Sequence, residues 1–161
     1  MELWGFGLGG TIAEVAKRAL EEEGLWTAEL GEQRVKWLVG LCDGITRSNP
    51  KTLARLAAAA TRNELYHEVP LRYTESDGSV VEGIVDLLWR EDDGWHLLDY
   101  KAGTNHPHGT GDEPLQFENL RHHYAQISLY AEGLKELLTE PLVDIGIWYV
   151  LPGLVVLWDV E

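Results

Sequence analysis

Apolar positions recur at helical spacing through residues 11–60 and then give way to strand-like alternation, so two kinds of element follow one another along the chain. Thr11 opens an amphipathic segment that runs to about Glu23. Glu14, three residues on, completes a capping box, and Gly24 is a natural stop. A second helix is predicted from about Leu30 to Thr46, with Val35, Leu38, Val39 and Cys42 on one stripe. Ser48-Asn49-Pro50 breaks it, and Pro50 suits the first turn of a third helix reaching about Ala60. Strand patterns follow at Glu64 to Tyr73, Val80 to Trp89 and Trp95 to Lys101. Ser76-Asp77-Gly78-Ser79 and Glu91-Asp92-Asp93-Gly94 separate them as turns, which predicts an antiparallel meander. Gly103, Pro107, Gly109, Gly111 and Pro114 mark a mobile loop by composition. A long helix from about Leu115 to Leu138 should turn Leu120, Tyr124, Ile127, Leu134 and Leu138 to the core, before strands at Val143 to Val150 and Leu154 to Val160. This order predicts an α/β fold, a mixed central β-sheet of about five strands flanked by helices. One domain is expected over residues 1–161, with a helical part at about 10–61 and a sheet-bearing core at about 64–161. Trp26, Trp37, Trp89, Trp95, Trp148 and Trp158 are expected as core or interface anchors, while Trp4 and Phe6 can pack on a neighbour.

Charges interrupt the apolar strands where an ordinary strand would not bury them. Asp86 closes the run Gly83-Ile84-Val85-Asp86, and Asp99 and Lys101 flank Tyr100, so that their side chains share one sheet face. A hairpin that joins these strands gathers two carboxylates and an ammonium. Carboxylates are hard oxygen ligands suited to Mg²⁺ or Mn²⁺, with positions left for water and phosphate. Lys101 can orient the attacking water and offset the negative charge that builds up in phosphodiester cleavage. Gln126 and Tyr130 are spaced i, i+4 on one helix face and can reach the same phosphate. Arg121, His122 and His123, one turn earlier, can touch a DNA backbone or be simply exposed polar positions.

Taken in order, Gly10-Thr11 with an ionisable residue at 14, Glu68-Val69-Pro70, Gly83-Ile84-Val85-Asp86, Asp99-Tyr100-Lys101 and Gln126-Ile127-Ser128-Leu129-Tyr130 span nearly the whole chain. This arrangement resembles the nuclease domain of the RecB and AddA type, a restriction-endonuclease-like fold of the PD-(D/E)XK superfamily that sits at the C-terminus of helicase-nucleases processing DNA ends. The resemblance implies a Mg²⁺- or Mn²⁺-dependent deoxyribonuclease of exonuclease type in recombinational repair. DNA ends would be its substrate, and its partner a helicase domain or subunit. It implies that Asp86, Asp99 and Lys101 are catalytic, that the carbonyl of Tyr100 is a further metal ligand, and that Glu68 lines the site. Gln126 and Tyr130 would stand beside it, with Arg121 and His122 on the DNA. The chain departs from the pattern at Glu14, where such domains usually carry histidine. A carboxylate there can serve as a metal ligand, or act only in the capping box.

Composition narrows these expectations. Cys42 is the only cysteine, so no disulfide framework and no four-cysteine iron-sulfur cluster is expected within the chain, and a cytoplasmic setting is the simplest reading. No apolar stretch approaches the roughly 18 to 20 residues of a membrane span. No Walker A sequence occurs, so ATP hydrolysis by that route is not expected of this chain. Charge points the other way from nucleic acid: 27 acidic residues against 13 basic ones give a net charge of -14. Either DNA contact is local, or another polypeptide supplies the binding surface. The alternative is a nuclease fold without activity, serving in docking or DNA-end binding.

Overall fold

A computed structural model describes residues 10–102, 117–150 and 153–160, without the side chains of 117–119. Trp4, Phe6 and the Gly- and Pro-rich stretch 103–116 lie outside the described residues. The chain divides into two compact units, Met1–Thr61 and Arg62–Glu161.

The first unit holds α1 (Ile12–Glu22), α2 (Gly31–Ser48) and α3 (Pro50–Thr61). The capping box at its start is formed: Thr11 N–H donates to Glu14 Oε2 at 2.7 Å and Glu14 N–H to Thr11 Oγ1 at 3.3 Å. Ala16 and Leu20 of α1 pack on Val35 of α2, with Trp26, Leu38 and Val39 around them. Trp37, expected as an anchor, is instead 59% exposed. It falls outside the stripe of Val35, Leu38 and Val39, and that stripe alone faces α1.

The second unit is a five-stranded sheet in the order β1 (Leu65–Thr74), β2 (Val80–Glu91), β3 (Gly94–Lys101), β4 (Leu142–Tyr149) and β5 (Leu154–Asp159). The first three strands form the expected antiparallel meander. The helix α4 (Phe117–Leu137) then carries the chain back so that β4 runs parallel to β3, and β5 closes the sheet antiparallel to β4. A parallel neighbour needs such a crossover, which is why a long helix separates these two strands. Gly94 makes the tight β2–β3 turn possible. Its φ of +138° is closed to other residues, and a Cβ there would lie 2.3 Å from the Pro141 carbonyl oxygen.

Ile127, Ala131 and Leu134 of α4 enter one core with Leu71, Tyr73, Val85, Leu88, Leu97, Ile145, Ile147 and Tyr149 of the sheet. Complete burial of Leu97, Ile127 or Ile147 contributes roughly 1.5 to 3 kcal/mol each. Leu120 and Leu138 pack partly on this core, whereas Tyr124 is 42% exposed and tilts against Trp158 instead. Four other tryptophans meet the expectation of burial in whole or part: Trp89 and Trp148 are buried, and Trp95 and Trp158 half-buried.

Candidate active site

Asp86 lies where β2 and β3 stop pairing. The last paired residues are Leu87 and Leu98, and one step beyond them Asp86 Oδ2 accepts the Tyr100 N–H at 2.6 Å. The β2 alternation breaks at the same place, since Val85 and Leu88 both belong to the core under α4. Glu68 on β1 falls between the pairs His67–Leu87 and Val69–Val85, opposite Asp86, and has φ +50°. A glutamate in the left-handed region is uncommon and is held there by the surrounding sheet. Glu68 and His67 are exposed.

Asp99 and Lys101 share a face of β3, as the strand period requires. Asp99 is 5% exposed, and the Lys101 ammonium lies 2.6 Å from its Oδ2. Lys101 Nζ also donates to Gln126 Oε1 at 2.8 Å, and Gln126 Nε2 donates to the Tyr130 hydroxyl at 3.2 Å. An α4 face therefore closes over the end of β3. Tyr130 comes this near because position 83 is glycine, where a Cβ would stand 2.6 Å from the Tyr130 ring. Arg121 and His122 are exposed on the same helix.

Burial pushes the Asp99 carboxyl above the usual range; the Lys101 ammonium opposes that shift and the Asp86 charge adds to it. Burial, with Asp86 again, raises the Tyr100 phenol well above its ordinary value. The charge of Asp86 therefore disfavours the charged form of the buried Asp99 carboxyl. Asp99 Oδ2 is buried and, among the described residues, meets no donor in hydrogen-bond alignment beyond its ion pair with Lys101. An all-oxygen donor set with such an atom fits a hard divalent cation. Glu14 belongs to the helical unit, where the Thr11 N–H and hydroxyl hold its carboxyl below the usual range.

A second group of possible ligands lies at the β2–β3 turn. The ligand atoms of Glu91, Asp93 and His96 are within 4.8 Å of one another. His96 is fully buried, stacked on Trp89, with Nε2 at 3.1 Å from Asp93 and Nδ1 at 3.0 Å from Asp144. An imidazole bridging two carboxylates accounts for this arrangement by itself. It sits three residues from Asp99, on the opposite face of β3.

Residues 8–158 match the profile of the PD-(D/E)XK nuclease superfamily. The chain belongs to that superfamily. Three similar proteins are each named as the A-type subunit of an ATP-dependent helicase/nuclease. The one from Heliobacterium modesticaldum is 36% identical over 95 residues, covering 58% of this chain and 6% of its own length. That from Exiguobacterium sibiricum is 39% identical over 88 residues, 47% of this chain and 7% of its own. The Pelotomaculum thermopropionicum protein is 31% identical over 116 residues, 71% of this chain and 8% of its own. The chain thus spans less than a tenth of the length of these relatives. Their names agree with the AddA and RecB type of nuclease domain that the order of motifs resembles. Among the described residues no helix is long and apolar enough to cross a membrane.

Beside this candidate site stand two residues that no motif points to, although the helical spacing of α4 also offers His123 as a DNA contact. Tyr149, fully buried, pairs with Lys101 in the parallel β3–β4 register, and its hydroxyl is 3.0 Å from His123 Nδ1. Burial and the Asp99 charge push the Tyr149 phenol up to about 12. Burial, then the charges of Lys101 and His122, lowers the His123 imidazole. Only the pairing of β4 beside β3 brings residue 149 next to residue 101, and no local spacing announces it.

Proposed function

We propose that this chain is a Mg²⁺- or Mn²⁺-dependent deoxyribonuclease of exonuclease type, acting in DNA end processing and recombinational repair as the nuclease part of, or partner to, a helicase. Residues 1–161 would work as one nuclease domain. The observation that carries this reading is the pairing of a buried Asp99 with Lys101 beside Asp86, at a sheet end covered by Gln126 and Tyr130. Superfamily membership supports the hydrolytic chemistry, and the relatives' names support the tie to a helicase.

Asp86 and Asp99 would hold the cation, with the Tyr100 carbonyl as a further ligand. When bound, a divalent cation would polarise the phosphoryl group and lower the pKa of water. The chain's own groups do the rest. Lys101 is held by Asp99 and Gln126, so its ammonium is fixed where charge accumulates on the phosphate, an arrangement that needs no reorganisation during reaction. Gln126 and Tyr130 form a hydrogen-bonded pair that can position a phosphate oxygen. Glu68 lines the site opposite Asp86, and Arg121 and His122 extend along the DNA backbone. With a net charge of -14, such contacts are local, or a helicase supplies the remaining surface.

Incubation with end-labelled single- and double-stranded DNA in Mn²⁺ tests this. Cleavage by the wild type and its loss in Asp99→Ala is the expected result; no cleavage by either chain refutes the enzymatic reading. The hold of the capping box on Glu14 favours a second reading, an inactive fold for docking or DNA-end binding, because the position usually occupied by histidine is engaged locally. DNA binding without cleavage in any divalent metal would favour it.

A further inference from the structure

We infer that His123 is an additional phosphate-contacting residue of this site, held by Tyr149 in the tautomer that carries its proton on Nε2. The inference rests on the nuclease reading for its substrate, DNA, but not for its geometry.

His123 lies one helical turn before Gln126 on α4, so both project to the same side of the helix. Gln126 takes one side of the Lys101 ammonium, and Tyr149 stands beside Lys101 on the neighbouring strand. His123 Nδ1 meets the Tyr149 hydroxyl at 3.0 Å. Two arrangements of that bond exist. In one, Nδ1–H donates to the phenol oxygen, which leaves the phenol proton without an acceptor on a fully buried residue. In the other, the phenol O–H donates to Nδ1, and the imidazole proton is on Nε2. Among the described residues the phenol has no other hydrogen-bond partner, so the second arrangement satisfies the buried donor and the first does not. A buried donor left unmade costs about 1 to 3 kcal/mol.

Nε2 is at the far side of the ring from Nδ1, on a half-buried residue of the helix that covers the end of β3. A ring fixed through one nitrogen presents its other N–H in one direction. The Lys101 charge is felt at the His123 ring, and a neutral N–H in the field of a cation suits an anionic oxygen; a non-bridging phosphate oxygen next to the scissile one is the group that DNA offers there. His123 then adds a neutral donor to the charge of Lys101, which an acidic chain with few cations requires.

Two side chains separate this role from packing against Tyr149. The amide nitrogen of His123→Gln reaches the place of Nε2, whereas His123→Asn offers polar atoms only near Nδ1. DNA affinity is measured in Ca²⁺ for the full chain, and cleavage in Mn²⁺. Weakening of about tenfold in His123→Asn, with recovery in His123→Gln, is expected. Side-chain ¹⁵N spectra of the wild type should show the Nε2–H tautomer, and Tyr149→Phe should erase that preference. One methylphosphonate beside the cut should abolish the difference between wild type and His123→Asn. A wild-type Nδ1–H tautomer, or equal affinity in all three chains, overturns the assignment. Binding through His123 without cleavage would uphold the contact and sink the nuclease reading; cleavage by His123→Asn at the wild-type rate and affinity would do the reverse.

Discussion

Asp86 on β2 accepts the backbone N–H of Tyr100 on β3 at 2.6 Å, so a side chain replaces the ladder bond that the diverging strands no longer supply. This ties a proposed metal ligand to the backbone between Asp99 and Lys101, and fixes both in one act. Asp86→Ala leaves that N–H without its acceptor and should cost about 1 to 3 kcal/mol in urea unfolding. Asp86→Asn keeps an oxygen in place and should unfold close to wild type while losing metal. Equal destabilisation by the two variants would count against the bond.

Gly83 permits the approach of Tyr130. Gly83→Ala places a methyl where the ring now lies, at a contact of 2.6 Å, so a loss of about 1 to 3 kcal/mol is expected. Combining it with Tyr130→Ala should remove most of that loss. A double-mutant cycle reads the coupling, and strict additivity would show that the two residues do not meet.

Sequence patterns make this site legible only so far. Asp99 and Lys101 are two apart on a strand, so period-2 alternation alone puts them on one face; the Asp-Gly turn then brings β2 and Asp86 to their side. The five strands and the crossover helix follow from the same switch of period. Tyr124 and Trp37 depart from expectation because a hydrophobic side chain near a stripe need not belong to it: each element buries only the arc its neighbour covers. The left-handed backbone of Glu68 and the broken alternation at Val85 and Leu88 have no local signature. Nor does the meeting of His123 with Tyr149, which depends on which strand lies beside β3.

His123 also gives a pH dependence with a definite sign. Its imidazole is lowered below 6.5, first by burial and then by the Lys101 and His122 charges. The unfolded chain therefore binds a proton more readily than the folded one. The neutral ring's contribution is fully present above 6.5 and is lost as pH falls from there through the folded value. Wild type should lose urea stability over that range relative to His123→Gln, and parallel profiles would contradict the assignment.

In the proposed reading Lys101 supplies charge, not ligation. Lys101→Met should bind Mn²⁺ at least as well as wild type yet cut DNA about 100- to 1,000-fold more slowly, the usual effect of removing one preorganised electrostatic group. The Asp99 carboxyl should titrate higher still once its cation is gone, which carboxyl NMR reads directly. Loss of metal binding with the lysine would reassign its role.

The most direct measurement is calorimetric titration of the chain with Mn²⁺, wild type beside Asp99→Asn, with thermal unfolding of both. Saturable binding by the wild type that disappears in Asp99→Asn, at an unchanged melting temperature, is the expected outcome. Undiminished binding in the variant would contradict a metal centre built on Asp86 and Asp99.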